Sequence, residues 1–219
     1  MTKEVEDSEQ RRREKVLKII ERLKPVYPDA KIALDFQNPF QLLIATILAA
    51  QSTDVGVNLA TPELFKHYPT PEKMAKASRE ELDAYITKVN FHCNKTRLIK
   101  EASQMIVDKF DGKVPDNMED LDSLPGVARK TANVVLTCAF NKPVGIIIDT
   151  HMIRMSNKLG LTDAKDPVKI EKDLMEIVPK EHWKDFPLML ILHGRHFCTA
   201  RPHTCENCPL GDLCPDMKK

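Results

Sequence analysis

Towards its C-terminus the sequence sets four cysteines, Cys198, Cys205, Cys208 and Cys214, within 17 residues in the order C-x6-C-x2-C-x5-C. Thiolates are soft ligands that suit zinc or an iron-sulfur cluster, and short fixed spacers lower the entropy cost of closing four ligands on one centre. A zinc ribbon more often shows two C-x2-C pairs where this loop has one, so spacing by itself leaves zinc and iron both open. Six cysteines could instead make three disulfides, but a chain of this size without an apolar leader more often uses clustered cysteines for metal. Cys93 and Cys138 stand apart and are expected to be free thiols, partly or wholly buried.

Two more segments carry residues that do chemistry. In LPGVARKTANVVL, Leu124 to Leu136, Pro125 and Gly126 predict a tight turn and the residues after it a helix. Backbone N–H groups near Gly126 and Ala128 would then point at an anion such as a DNA phosphate, although a plain connection between two helices uses the same turn residues. In IIIDTHMIR three isoleucines lead to Asp149 at the start of another helix. As an N-cap, Asp149 would accept from the N–H of His151 or Met152. That role holds a carboxylate ionised and fixed in direction, so capping and catalysis are compatible.

Helices must position all of these groups. Val16, Ile19, Ile20 and Leu23 recur at helical spacing before Pro25. Asn38-Pro39 is an N-cap and first-turn pair that launches FQLLIATILAAQ, apolar on nearly every face and therefore core. Further starts lie at Thr53, with Asp54 as a structural cap, at Thr70-Pro71, and at Ser78, whose Glu81 completes a capping box. From Asn94 to Phe110, Leu98, Ala102, Met105 and Ile106 share a face that Asp111-Gly112 ends. Asp116 and Asp166-Pro167 open two more helices, and Gly160 and Pro179 mark ends. The only strand-like run, Val144 to Ile148, is short and without a pairing partner, which makes it a buried connector. The fold class is all-α, with about ten helices on ordinary lengths.

The 219 residues are 42% hydrophobic, enough for one large domain or two small lobes. A net charge of +1 gives no global basic field, so a nucleic-acid partner must be held by a local patch. The charged start MTKEVEDSEQRRREK has no apolar leader, and no stretch approaches the length of a membrane span. A soluble, cytoplasmic monomer without a membrane partner is expected.

Taken in order, these motifs resemble the endonuclease III family of DNA glycosylase/AP lyases, within the helix-hairpin-helix glycosylase superfamily. The resemblance runs through LLIATILAAQSTD (42–54), FHCNK (91–95), LPGVARKTANVVL, IDTH (148–151), LILHGR (190–195) and the cysteine loop. It implies a 4Fe-4S cluster on the four cysteines and a double-stranded DNA substrate with damaged bases or abasic sites, in the nucleoid of a prokaryote. Lys130 matches the family's nucleophile, which attacks C1' of the damaged nucleotide, and Asp149 its carboxylate partner. Attack needs the neutral amine. Taking a lysine from about 10.4 to about 7 requires roughly 4.6 kcal/mol. A helix start contributes only about 0.3–1 kcal/mol, so the resemblance implies a lysine desolvated in a cleft between two lobes.

Extruding a nucleotide leaves a gap that side chains must fill. The resemblance nominates Gln51, which could offer its amide to the orphaned base, and Phe91, where many relatives carry leucine. His151 would face phosphate or satisfy a backbone group. Ala128 replaces the hairpin's usual second glycine, adding a methyl beside the phosphate, and the loop TARPHT (199–204) brings only Arg201 and His203 towards DNA. The implied architecture is two helical lobes: a six-helix barrel over 32–142, and a cluster lobe made of 1–31 plus 143–219. Two other functions compete with removal of oxidised or ring-damaged pyrimidines. One is a monofunctional glycosylase for mismatched bases, against which Lys130 argues. The other is a non-catalytic DNA-binding protein with structural zinc.

Overall fold

The structure, a computed structural model, describes residues 3–201 and 205–218. Among them the regular elements are helices: α1 (Lys3–Leu23), α2 (Pro39–Ala49), α3 (Asp54–His67), α4 (Pro71–Lys76), α5 (Arg79–Ile86), α6 (His92–Phe110), α7 (Met118–Asp122), α8 (Arg129–Cys138), α9 (Thr150–Lys158), α10 (Pro167–Ile177) and α11 (Asp185–His196). Short 3-10 turns at Lys180–His182, Gly211–Leu213 and Pro215–Lys218 complete the set. The all-α expectation is met with eleven α-helices among the described residues rather than about ten. None is long and apolar enough to cross a membrane.

By its contacts the chain divides into two compact units, Ile32–Lys142 and Met1–Lys31 with Pro143–Lys219. In the first, α2 is the central element. Nine consecutive residues from Phe40 to Leu48 are buried, which matches an apolar sequence with no polar face. Each fully buried leucine or isoleucine here stabilises by about 1.5–3 kcal/mol. Its start is set by Asn38, whose Oδ1 accepts from the Gln41 N–H at 3.0 Å with Pro39 in the first turn. The Ser78 capping box at α5 is reciprocal: Glu81 N–H donates to Ser78 Oγ at 3.1 Å, and Ser78 N–H donates to Glu81 Oε2 at 2.7 Å.

Two boundaries and one cap differ from the sequence expectation. Thr53 caps α3 by accepting from the Gly56 N–H, where a start was expected, but Asp54, expected as a cap, sits inside the first turn. Asn117, not Asp116, caps α7, its Oδ1 accepting from the Asp120 N–H at 3.0 Å, while Asp116 pairs with Lys142. In both cases adjacent residues can cap, and a one-residue shift decides which oxygen reaches the free amide. Helix α6 begins at His92 because Phe91 turns the chain in a left-handed conformation, φ +57°. Its buried face is Lys95, Thr96, Ile99, Ala102, Ser103 and Ile106, with Leu98 and Met105 only half-buried.

In the second unit α1 packs on α10 and α11, and α9 packs on α11. Val16, Ile19 and Leu23 of α1, Ile170 and Leu174 of α10, and Phe186 and Leu190 of α11 are fully buried. Gly194 permits the close approach of α9 and α11. A Cβ there would lie 3.1 Å from Met155 Cγ and 3.3 Å from His151 Cβ. The run 144–148 forms no strand, and Ile146, Ile147 and Ile148 are buried, as expected of a connector, while Val144 stays exposed.

Candidate active site and cysteine centre

The segment from Leu124 to Ala128 joins α7 to α8 through a tight turn. The Val127 N–H donates to the Leu124 carbonyl at 3.1 Å across Pro125 and Gly126, and Gly126 has φ +78°. Proline at the second position and a positive φ at the third are the requirements of a type II turn. Glycine is also needed for space, since a Cβ would sit 3.2 Å from Leu98 and 3.3 Å from Ile47 Cγ2. Ala128 is the N-cap of α8 and offers no side-chain acceptor. The N-cap of α8 therefore contributes no side-chain acceptor, an arrangement suited to a helix start that faces an external anion. Gly126, Ala128 and Lys130 are all exposed, with Lys130 in that first turn. Lys130 is thus an exposed residue within its own unit, where the resemblance implied a lysine desolvated in a cleft.

Gln51 and Phe91 meet Gly126 around a concavity of about 270 Å³, also lined by Ile47, Ala50, Asn94, Lys95 and Leu98. Both Gln51 (φ +55°) and Phe91 (φ +57°) hold left-handed backbones, a cost that the surroundings must offset. The offset comes from a polar clamp between the end of α2 and the start of α6. The Asn90 side chain donates to the Gln51 carbonyl at 2.7 Å, and the Asn90 N–H donates to Ser52 Oγ at 3.1 Å. Lys95 Nζ donates to the Leu48 carbonyl and to Ser52 Oγ, each at 2.8 Å. Lys95 is only 4% exposed, and burial pulls its ammonium below the usual lysine range. Phe91 by contrast is 65% exposed, an apolar ring held out by the turn beneath it.

Asp149 caps α9 in the other unit, its Oδ1 accepting from the Met152 N–H at 2.8 Å. The carboxylate is half-buried and so is His151, whose Nδ1 is buried without a hydrogen-bond partner. That nitrogen does not serve a backbone group. Further along α9, Arg154 Nη2 donates to the carbonyls of Gly194 and Cys198, both at 2.6 Å, fixing the point where α11 runs into the cysteine loop.

Cys198, Cys205, Cys208 and Cys214 line one small apolar cavity with Met155, Leu159, His193, Phe197 and Leu210. Cys198 and Cys214 are buried. Burial pushes the Cys208 thiol up, and the other three cysteines push it further. Four thiolates so placed repel one another unless a positive centre lies among them, which fits a bound metal group. The protein around them is shaped for that charge. Burial alone would lower Lys158, but Cys198, Asp216 and Cys214 raise it overall. His193 stacks on Phe197 with ring centroids 5.4 Å apart, and its Nε2 lies 3.7 Å from Cys208 Sγ. Arg22 of α1 reaches Asp212 inside the loop at 3.2 Å. His203 lies outside the described residues.

Residues 44–180 match the family described as HhH-GPD superfamily base excision DNA repair protein. The chain is 48% identical over 207 residues to endonuclease III of Synechocystis sp., covering 94% of each protein. Against endonuclease III of Escherichia coli it is 39% identical over 205 residues, covering 94% of this chain and 97% of that one. The chain belongs to the endonuclease III family. Its fold is similar to the solved structure of a trapped endonuclease III–DNA covalent intermediate, an estranged-adenine complex, with a TM-score of 0.88 and 40% identity over 94% of this chain and 97% of that one.

Within this endonuclease III fold, sequence reasoning missed Lys95 and Asn90, which hold the Gln51 and Phe91 turns together. The available signal was a lysine at positions i and i+4, i+7 and i+11 with Ile99, Ala102 and Ile106, on the apolar stripe of α6. It also missed Lys158 and His193 beside the cysteines. Cys93 was expected to be at least partly buried and is exposed, because it lies on the solvent side of the first turn of α6; Cys138 is half-buried.

Proposed function

We propose that this base-excision DNA glycosylase and AP lyase acts on oxidised or ring-damaged pyrimidines in double-stranded DNA, with Lys130 as nucleophile and Asp149 as its carboxylate partner. The observation that carries the reading is an exposed lysine in the first turn of a helix whose N-terminus has no side-chain cap. The N-terminus of α8 faces a phosphate of the backbone, which sets the register of Lys130 on the strand. DNA also supplies water exclusion at Lys130.

Lys130 Nζ attacks C1' of the extruded nucleotide as the bond to the base breaks, and the base leaves with that electron pair and a proton. Opening of the sugar ring gives a protonated Schiff base between C1' and Nζ. Loss of a proton from C2' then expels the 3' phosphate oxygen by β-elimination, and water releases the lysine. Asp149, held in direction by its cap on Met152, accepts the ammonium proton and stabilises positive charge on the sugar. Gln51 and Phe91 fill the gap left in the duplex, and half-buried His151, in the first turn of α9, faces a phosphate.

Cys198, Cys205, Cys208 and Cys214 would hold a 4Fe-4S cluster, whose iron–thiolate bonds cross-link the C-terminal loop without entering the reaction. The protein acts as a monomer in the nucleoid of a prokaryote.

The test is a panel of duplexes carrying one ring-saturated pyrimidine, one G·T mismatch or one abasic site. Cleavage with a β-elimination end at the ring-saturated and abasic sites is expected. Base release without strand cleavage, or action at the mismatch alone, would overturn the reading.

A further inference from the structure

We propose that Lys95 is a positioning residue whose buried ammonium locks the turns carrying Gln51 and Phe91 and so sets how the protein engages the base opposite the lesion, a role that rests on the gap-filling function proposed for those two side chains. Gln51, Phe91 and Lys95 line one concavity with Gly126. All four belong to the Ile32–Lys142 unit.

Gln51 turns left-handed just beyond the end of α2, and the Ser52 N–H donates back to the Ala49 carbonyl at 3.0 Å. Leu48 lies in the last turn of α2, where carbonyls lack an amide partner within the helix. Lys95 Nζ takes the Leu48 carbonyl at 2.8 Å and, on the other side of Gln51, Ser52 Oγ at 2.8 Å. The Lys95 backbone N–H donates to the Phe91 carbonyl at 3.1 Å. A single residue of α6 is thus bonded on both sides of the Gln51 turn and at the Phe91 turn.

Lys95 is 4% exposed, and an apolar side chain of similar length would fill its space without the cost of burying a charge. What the ammonium adds is direction. Hydrogen bonds from a charged donor are stronger than neutral ones, and one of these ends on the negative pole of α2. Two left-handed backbones that would otherwise relax are held at a fixed separation. Being buried, Lys95 acts through Gln51 and Phe91, the first directed at the orphaned base and the second held out as an exposed ring.

The test compares borohydride trapping rates, with cluster-loaded protein in excess, at one abasic site in a duplex opposite each of the four bases and at the same site in a single strand. A single strand has no opposite base and no gap to fill. Lys95→Met keeps the length of the side chain and removes its donors. The ratio of duplex to single-strand rate should fall about ten-fold or more, since small misplacements of positioning groups cost that much, and the spread of rates among the four opposite bases should narrow. A general loss of structure would lower both rates and leave the ratio unchanged. Ser52→Ala, which removes one acceptor of Lys95, should lower the ratio in the same direction and decides the matter where Lys95→Met fails to fold. The double variant Gln51→Ala/Phe91→Ala is the reference. A ratio lost in the double variant and unchanged in Lys95→Met would overturn the role of Lys95. A ratio unchanged in both would overturn the gap-filling reading and the present proposal with it.

Discussion

Asp149 has two duties that a pair of substitutions separates. Its Oδ1 accepts the Met152 N–H, and loss of such a cap costs about 1 kcal/mol. Asp149→Ala should therefore lower both activity and melting temperature, the latter by about 2–4 °C for a chain of this size. Asp149→Asn keeps an acceptor oxygen but no charge. Its melting temperature should stay near wild type while single-turnover base excision falls by about 100-fold, the low end for a lost acid–base group. Equal activity in Asp149→Asn and the wild type would remove the carboxylate from the chemistry. Lys130, Asp149 and the four cysteines could be nominated from the sequence because motif order and spacing mark them. Lys95 was not, because a lysine is ordinarily solvated and only the packing of α2 on α6 buries it to 4% exposure.

The connection between α7 and α8 concentrates several constraints on Gly126. Its φ of +78° costs an L-residue about 1–2 kcal/mol, and a Cβ would also press on Leu98 and Ile47. Gly126→Ala should reduce unfolding free energy by about that amount in denaturant titration. It should weaken DNA binding more than an equally destabilising core substitution, because the turn aims the amides of α8. Unchanged DNA affinity would show that the turn is only a connection. Helix existence and most caps could be read from the sequence, since Asn38, Thr70, Ser78 and Asp166 cap where they were expected. The errors at Asp54 and Asp116 arise where two cap-forming residues are neighbours and local chemistry does not choose between them. The left-handed turns at Gln51 and Phe91 had no signal in either segment alone, being tied to each other by Asn90, Ser52 and Lys95 across residues far apart in sequence.

For the whole molecule, a net charge of +1 provides no long-range attraction to DNA, so affinity depends on a few placed contacts. The cysteine loop contributes through the structure it holds: Arg154, Lys158, His193 and Arg22 all engage it or its flanks. Iron removal should lower thermal stability and DNA affinity together, while the fraction of bound complexes that go on to react stays near that of the loaded protein. A drop in that fraction with unchanged affinity would instead give the cluster a part in the reaction. Cysteine spacing could not distinguish zinc from iron, because ligand type and loop length are common to both; family membership favours the cluster.

The most direct measurement is borohydride reduction of the reaction with abasic-site DNA, followed by peptide mapping of the adduct. The account predicts a covalent protein–DNA species in the wild type, with the deoxyribose fragment on Lys130, and none in Lys130→Ala. An adduct of equal yield in Lys130→Ala, or one mapped to another amine, would contradict it.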